Sequence, residues 1–282
     1  MISYGAITVI NAIPCGIGAA VGIDLTTNAR FSAGGPERRV RIINDPDEST
    51  EMARICVRNA FGHFRIEEPE GWTLSIDSQI PVSRGLKSSS SACNAIISSV
   101  ADWISAEYGI DGFGEGIDGT LTMIRLGVRC AKEANVTVTG AFDDACACHL
   151  GGFVITDNKK KMLIECREAE ENDVILLVPA AKIRKPQLNV DKFYSLAGRM
   201  KSVIDTAKKD WYSALTENGR LIAEAVGIDD SIAKEAIRMG ALAAGVSGTG
   251  PAVSVVVGKN EGRSFLNDLD HRGYDAIITR TR

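Results

Sequence analysis

Hydrophobic and polar positions alternate along this chain with two periods, one of strands and one of helices. Residues 4–13 and 19–31 are rich in Ile, Val, Thr and Ala, and Pro14, Gly16 and Gly18 interrupt them. They predict two strands around a turn. Residues 49–61 repeat apolar positions at helical spacing, with Ser49 or Thr50 as a cap. Residues 72–77 alternate as a strand, and residues 88–107 and 118–134 predict helices. A strand at 153–155, a turn at Asp157, Asn158 and Lys159, and a strand at 162–165 predict a hairpin. The charged segment 167–173 precedes a buried-type strand at 174–178. Residues 191–226 predict two helical segments, and 230–243 a third, which runs into a Gly-rich loop and the strand 253–257. The irregular alternation of helices, strands and hairpins predicts an α+β fold rather than a doubly wound parallel sheet. The expected division is an N-terminal unit, 1–155, and a C-terminal unit, 156–282.

Composition narrows the possible functions. The 282 residues are 45% apolar and 24% charged, ordinary for a globular protein with a substantial core. A net charge of −4 argues against a nucleic-acid partner, although a few local donors can still hold a small anion. No unbroken apolar run of about 18 residues occurs, so no membrane span is expected. The N-terminal segment lacks the basic start of a signal peptide. Cys56, Cys93 and Cys130 fall in apolar helical patterns, where reduced, buried thiols are expected, and the expected location is the cytoplasm. Cys146, Cys148 and His149 lack the spacing and the second ligand pair of a metal site.

Three glycine-rich loops carry candidate chemistry. The first, Gly16-Ile-Gly18-Ala-Ala-Val-Gly22, resembles a dinucleotide fingerprint, but β-branched residues follow it where a helix is required. It reads as a tight turn between paired strands, or as a turn lying under a substrate. The second, residues 81–92, holds Gly85, Lys87 and four consecutive serines, Ser88 to Ser91, directly before a helix. A helix N-terminus leaves main-chain N–H groups without internal partners and carries a partial positive charge. Serines there act as caps and donors, and Gly85 permits close main-chain approach, so the loop predicts a phosphate site; the alternative is a serine-capped helix with nothing bound, for which one serine would suffice. It does not fit the Walker A pattern. The third, Gly245-Val-Ser-Gly248-Thr-Gly250-Pro251, is expected between a helix and a strand. It is either a sharp reversal or a loop closing over a bound phosphate.

Asp143 and Asp144 lie in a segment of small and apolar residues. Burying a carboxylate without a partner is costly, so a cation, a metal or a catalytic role is expected for one of them, unless they are solvated or cap a helix. A magnesium ion on a nucleotide needs only one or two protein oxygens, which a serine and Glu133 would supply.

Pro81-x-x-x-Gly85-Leu86-x-Ser88-Ser89 resembles the central ATP motif of the GHMP kinases. The Gly245–Pro251 loop resembles their third motif and the Asp143 segment their catalytic aspartate segment, in the family order. Gly85-Leu-Lys-Ser-Ser-Ser-Ser-Ala92 and Thr139-Gly-Ala-Phe-Asp-Asp-Ala145 are similar to the archaeal-type shikimate kinases within that family. The common loop has Gly where Lys87 stands here, a departure that fits the shikimate branch and argues against mevalonate or homoserine kinases. Pro14-Cys15-Gly16 lacks the lysine often found in the first motif. The resemblance implies two domains, the first with a left-handed βαβ element and the second ferredoxin-like. It implies ATP-dependent phosphorylation of shikimate at its 3-hydroxyl, with ATP and Mg²⁺ as cofactors, no nucleic-acid or membrane partner, and a monomer or homodimer. Other acceptors, homoserine or mevalonate, and a non-catalytic nucleotide sensor are the alternatives. By this resemblance Arg84, Gly85, Leu86, Lys87, Ser88, Ser89 and Ser90, with Gly248 and Gly250, hold ATP. Ser89 and Glu133 hold the metal, and Asp143, rather than Asp144, takes the proton. Lys87 either supplies charge to the phosphates or faces solvent. Arg184 and Lys185 are candidates for the acceptor carboxylate, or a solvated loop.

Overall fold

The structure, a computed structural model, describes residues 1–82, 85–179 and 189–282. The first two strands, β1 (Ile2–Ile10) and β2 (Ile17–Ala33), pair antiparallel around the turn at Gly16, as their composition predicts. β2 is 17 residues long and also pairs with β4 (Trp72–Ser78) at its C-terminal end and β5 (Phe153–Asp157) at its N-terminal end. Outside these lie β3 (Arg38–Ile42) and β6 (Met162–Arg167), completing a six-stranded sheet. The β3 strand escapes the sequence pattern because Arg38, Arg39 and Arg41 give it the composition of a loop. It is an edge strand, where charge blocks further pairing. β3 and β4 run parallel, with helix α1 (Glu51–Phe64) crossing between them. Thr50 precedes α1 without a side-chain bond; the Ser49 hydroxyl accepts the Glu51 N–H instead.

Helices α2 (Ser88–Tyr108), α3 (Gly116–Glu133) and α4 (Phe142–Leu150) pack with α1 over this sheet. Phe31, Phe61, Trp72, Ile96, Ile97 and Phe142 form the centre of their core. The sequence pattern does not predict α4, because its nine residues, mostly small side chains with two acids, lack a helical stripe. A division of the chain after residue 155 would cut the β5–β6 hairpin, because β6 extends the first sheet; the change of sheet comes at 168–172.

The second sheet contains β7 (Asp173–Pro179), β8 (Ala243–Val246), β9 (Val253–Val257) and β10 (Tyr274–Arg280), in the order β10-β7-β9-β8, all antiparallel. Between β7 and β8 come α5 (Val190–Tyr194), α6 (Ala197–Ala207), α7 (Trp211–Val226) and α8 (Ser231–Arg238); α9 (Gly262–Asp268) joins β9 to β10. This order is the ferredoxin-like split βαβ arrangement. The helix expected over 230–243 ends at Arg238, and 243–246 is strand β8. Gly240, at φ +100°, breaks the helix. Gly245 gives β8 a flat surface: a Cβ on Gly219 of α7 would lie 2.4 Å from its Cα. The third glycine loop therefore joins two antiparallel strands. Ile7, Val9, Ile10, Val21 and Ile23 of β1 and β2 share a second core with β7, β9 and α7, so the two sheets are packed together. No helix among the described residues is long and apolar enough to cross a membrane.

Candidate active site

Four segments, with Glu48 from the approach to α1, meet in a cleft of about 310 Å³, within the size range of small-molecule sites. They are the C-terminal end of β1 with Asn11–Ile13, the loop and first turn of α2, the approach and first turn of α4, and the β8–β9 loop.

α2 begins at Ser88. Its N-cap is Lys87, in the left-handed region at φ +68°, with no side-chain cap bond. The expected serine cap is absent, so among the described residues the first-turn N–H groups have no side-chain cap and suit an anion. Helical rotation divides the serines. Ser88 and Ser89 are half-buried at the cleft and Ser90 is buried but still lines it, whereas the buried Ser91 hydroxyl has no partner among the described residues and lies outside the cleft. Gly85 also lines the cleft. Its φ is +85°, and a Cβ there would lie 2.2 Å from the Ser247 carbonyl oxygen, so only glycine lets these two loops touch. The Ser247 hydroxyl donates to the Gly85 carbonyl at 3.0 Å and accepts the Thr8 N–H at 3.2 Å. Leu86 is buried in the core and does not line the cleft. Arg84, Arg184 and Lys185 lie outside the described residues.

Lys87 does not face solvent. Its side chain is 6% exposed, and Nζ lies 3.2 Å from Asp144 Oδ1 and donates to Thr8 Oγ1. The same Thr8 hydroxyl accepts the Gly248 N–H at 2.8 Å. Asn11 donates from Nδ2 to the Gly248 carbonyl at 2.8 Å, and its own N–H donates to Asn218 Oδ1 of α7. Gly248 and Gly250, both at positive φ, line the cleft on this side.

α4 follows Ala141, which is left-handed at φ +51°, and Asp143 sits in its first turn. This carboxyl is 3% exposed. Asn158 donates from Nδ2 to Asp143 Oδ1 at 2.7 Å and accepts the Asp143 N–H at 3.2 Å. The other oxygen lies over Gly18, where a Cβ would come within 2.3 Å of it. The first glycine loop thus makes room for the acid of the cleft. Burial, then the charge of Asp144, push the Asp143 carboxyl up to about 7; the Asn158 bond and Lys87 oppose the rise. A carboxylate with this proton affinity can take a proton from a hydroxyl near neutral pH.

Glu133 is not at the cleft. It ends α3 on the surface, where Arg58 and Asn59 of α1 bind its carboxylate. Cys146 and Cys148 are buried thiols, pushed up chiefly by burial, and no cluster of metal-ligating side chains occurs among the described residues. Asn158, Asn11, Thr8 and Ser247 were not foreseen. Asn158 had only a turn signal and Ser247 only its place in the third glycine loop; Asn11 and Thr8 gave none, because their partners lie far away in sequence.

A family model described as the GHMP kinases N terminal domain matches residues 50–152. The chain is 36% identical over 282 residues to the shikimate kinase of Methanosarcina mazei, covering 99% of this chain and 92% of that protein. It is 38% identical over 256 residues to the shikimate kinase of Methanothrix thermoacetophila, covering 90% and 84%. The crystal structure of the Methanococcus jannaschii mevalonate kinase matches with a TM-score of 0.80, covering 100% of this chain and 98% of that one. Its 17% identity makes this a likeness of fold.

Proposed function

The chain belongs to the GHMP kinase family, among the archaeal shikimate kinases, and from that premise we propose that it transfers the terminal phosphoryl group of ATP to the 3-hydroxyl of shikimate. The products are shikimate 3-phosphate and ADP. The observation that carries this reading is the meeting, in one cleft, of an uncapped helix N-terminus and a buried carboxyl with a proton affinity near neutrality. A nucleotide sensor would have no need of the second.

The main chain from Gly85 to Ser90 and the first-turn amides of α2 hold the triphosphate, and Gly248 and Gly250 cover it from the other side. Lys87, already neutralised by Asp144, contributes less free charge to the phosphates than an unpaired lysine would. Asp143 accepts the proton of the 3-hydroxyl as the oxygen bonds to the phosphorus and the bond to ADP breaks. Such a base contributes roughly 10²–10⁴ in rate. Positioning and charge neutralisation account for most of the remainder. Mg²⁺ would neutralise phosphate charge, and the Ser89 hydroxyl, at the cleft, is a suitable hard oxygen ligand. Glu133 does not fit that role, because its carboxylate is engaged by α1. Free thiols at all seven cysteines support a reducing, cytoplasmic setting.

Coupled ADP release with shikimate, homoserine and mevalonate tests the reading. Turnover with shikimate alone is expected. Turnover only with another acceptor overturns the substrate, and ADP release with none of them overturns the kinase. Asp143→Asn should lower kcat by about 10²–10⁴ while ATP affinity, read by titration calorimetry, stays close to wild type. Wild-type turnover in that variant removes Asp143 as the base.

A further inference from the structure

We propose that Asn158 is the positioning residue of the reaction: it occupies one oxygen of Asp143 and leaves the other free to take the acceptor's proton. This rests on the reading of Asp143 as the base.

Asn158 stands directly after β5, in the β5–β6 turn, where polar side chains are ordinarily solvated. It is 2% exposed. A buried amide must find partners, and this one is fully used. Its Oδ1 accepts the Thr156 hydroxyl at 2.6 Å and the Asp143 N–H at 3.2 Å. Its Nδ2 donates to Asp143 Oδ1 at 2.7 Å and to Thr139 Oγ1 at 3.3 Å. The Asp143 N–H, which can only donate, determines which end of the amide is oxygen, and the Thr156 hydroxyl can donate to the same atom, so Nδ2 points at the carboxylate. The Asn158 N–H donates to the Gly16 carbonyl at 2.8 Å, which ties the hairpin to the turn before Gly18. One residue thus couples three elements around Asp143: the first turn of α4, the β1–β2 turn and the β5–β6 hairpin.

The consequence for the carboxylate is directional. Oδ1 is held by the neutral Asn158 donor, and the Asp144 N–H also faces the carboxyl; Oδ2 has no side-chain donor among the described residues and lies over Gly18. A donor to one oxygen favours the charged form, which is the form that acts as base. The other charged or titratable groups facing Asp143 among the described residues are Asp144, Lys87 from the loop before α2, and the thiols Cys146 and Cys148 on α4.

The test is the pH dependence of kcat in Asn158→Ala, Asn158→Asp and Thr156→Val, beside Asp143→Asn. For Asn158→Ala, kcat at pH 7 should fall roughly 10- to 100-fold, with KM for ATP within about twofold. Its acidic limb should move up by about one pH unit, so that part of the loss is recovered at pH 9. The near-isosteric Asn158→Asp, which sets a second carboxylate against the first, should move the limb further in the same direction. Thr156→Val, which never touches Asp143, should move it less. A wild-type limb in all three variants overturns the positioning role, as does an equal loss at every pH accompanied by a raised KM for ATP. If Asn158→Ala does not fold, the other two variants decide by the same criterion. Wild-type turnover in Asp143→Asn overturns the base and the proposal together. An inactive Asp143→Asn with unmoved limbs in the Asn158 and Thr156 variants overturns only the proposal.

Discussion

Asp143 holds a proton in the folded protein at pH values where a free aspartate has lost it. Its carboxyl is raised from 3.8 to about 7, chiefly by burial and then by the charge of Asp144. The folded state therefore binds more protons than the unfolded chain between about pH 4 and 7, and stability falls as pH rises through that window. Asp143→Asn removes the penalty of burying the charge. The variant without substrate should be more stable than wild type at pH 8, by up to about 4 kcal/mol, and less so at pH 5. Urea unfolding at the two pH values checks this, and an equal difference at both would contradict it. Asp143 was legible in the sequence as an acid among small and apolar residues. Asn158 was not: its turn signal is the same whether the amide meets water or a carboxylate.

Among the elements, α2 shows how far a local pattern can be read. Four serines before an apolar run announce a helix start, but they do not say which serine faces the ligand. The 3.6-residue repeat decides this: Ser88, Ser89 and Ser90 line the cleft, while Ser91 turns into the core. The Ser91 hydroxyl is buried without a partner among the described residues. Ser91→Ala should therefore be neutral or stabilising by up to about 1 kcal/mol, with kcat and KM unchanged. Thermal unfolding beside steady-state kinetics tests it; a loss of more than about 1 kcal/mol would mean that the hydroxyl is satisfied. Glu133 is the opposite case. Its position at a helix end was legible, but its direction was not, and Arg58 and Asn59 draw it to α1 instead of the cleft.

At the scale of the whole molecule, the cleft depends on the packing of the two sheets. Asn11, just beyond β1, accepts the Ile13 N–H at Oδ1, but its other bonds are distant: its Nδ2 reaches the β8–β9 loop at Gly248 and its N–H reaches α7 at Asn218. Asn11→Ala removes the donor to the buried Gly248 carbonyl. It should cost about 1–3 kcal/mol and weaken ATP binding as the third loop loses its anchor. Equilibrium unfolding and ATP titration measure the two effects. A stability loss with unchanged ATP affinity would show that the loop keeps its place without Asn11.

Sequence alone determined the local features of this protein: most strands and helices, the α+β class, the serine-rich helix start and the acid in its apolar segment. These follow from periodicity and residue type, which act over a few neighbours. Tertiary structure decided the rest. It made 243–246 a strand by laying Gly245 against α7, and placed Gly18 beneath Asp143. It also buried Lys87 against Asp144, turned Glu133 away and brought Asn158 to the carboxylate. Each of these depends on groups distant along the chain meeting at contact distance, and hydrogen bonds, ion pairs and steric limits exist only once the sheets and helices have packed.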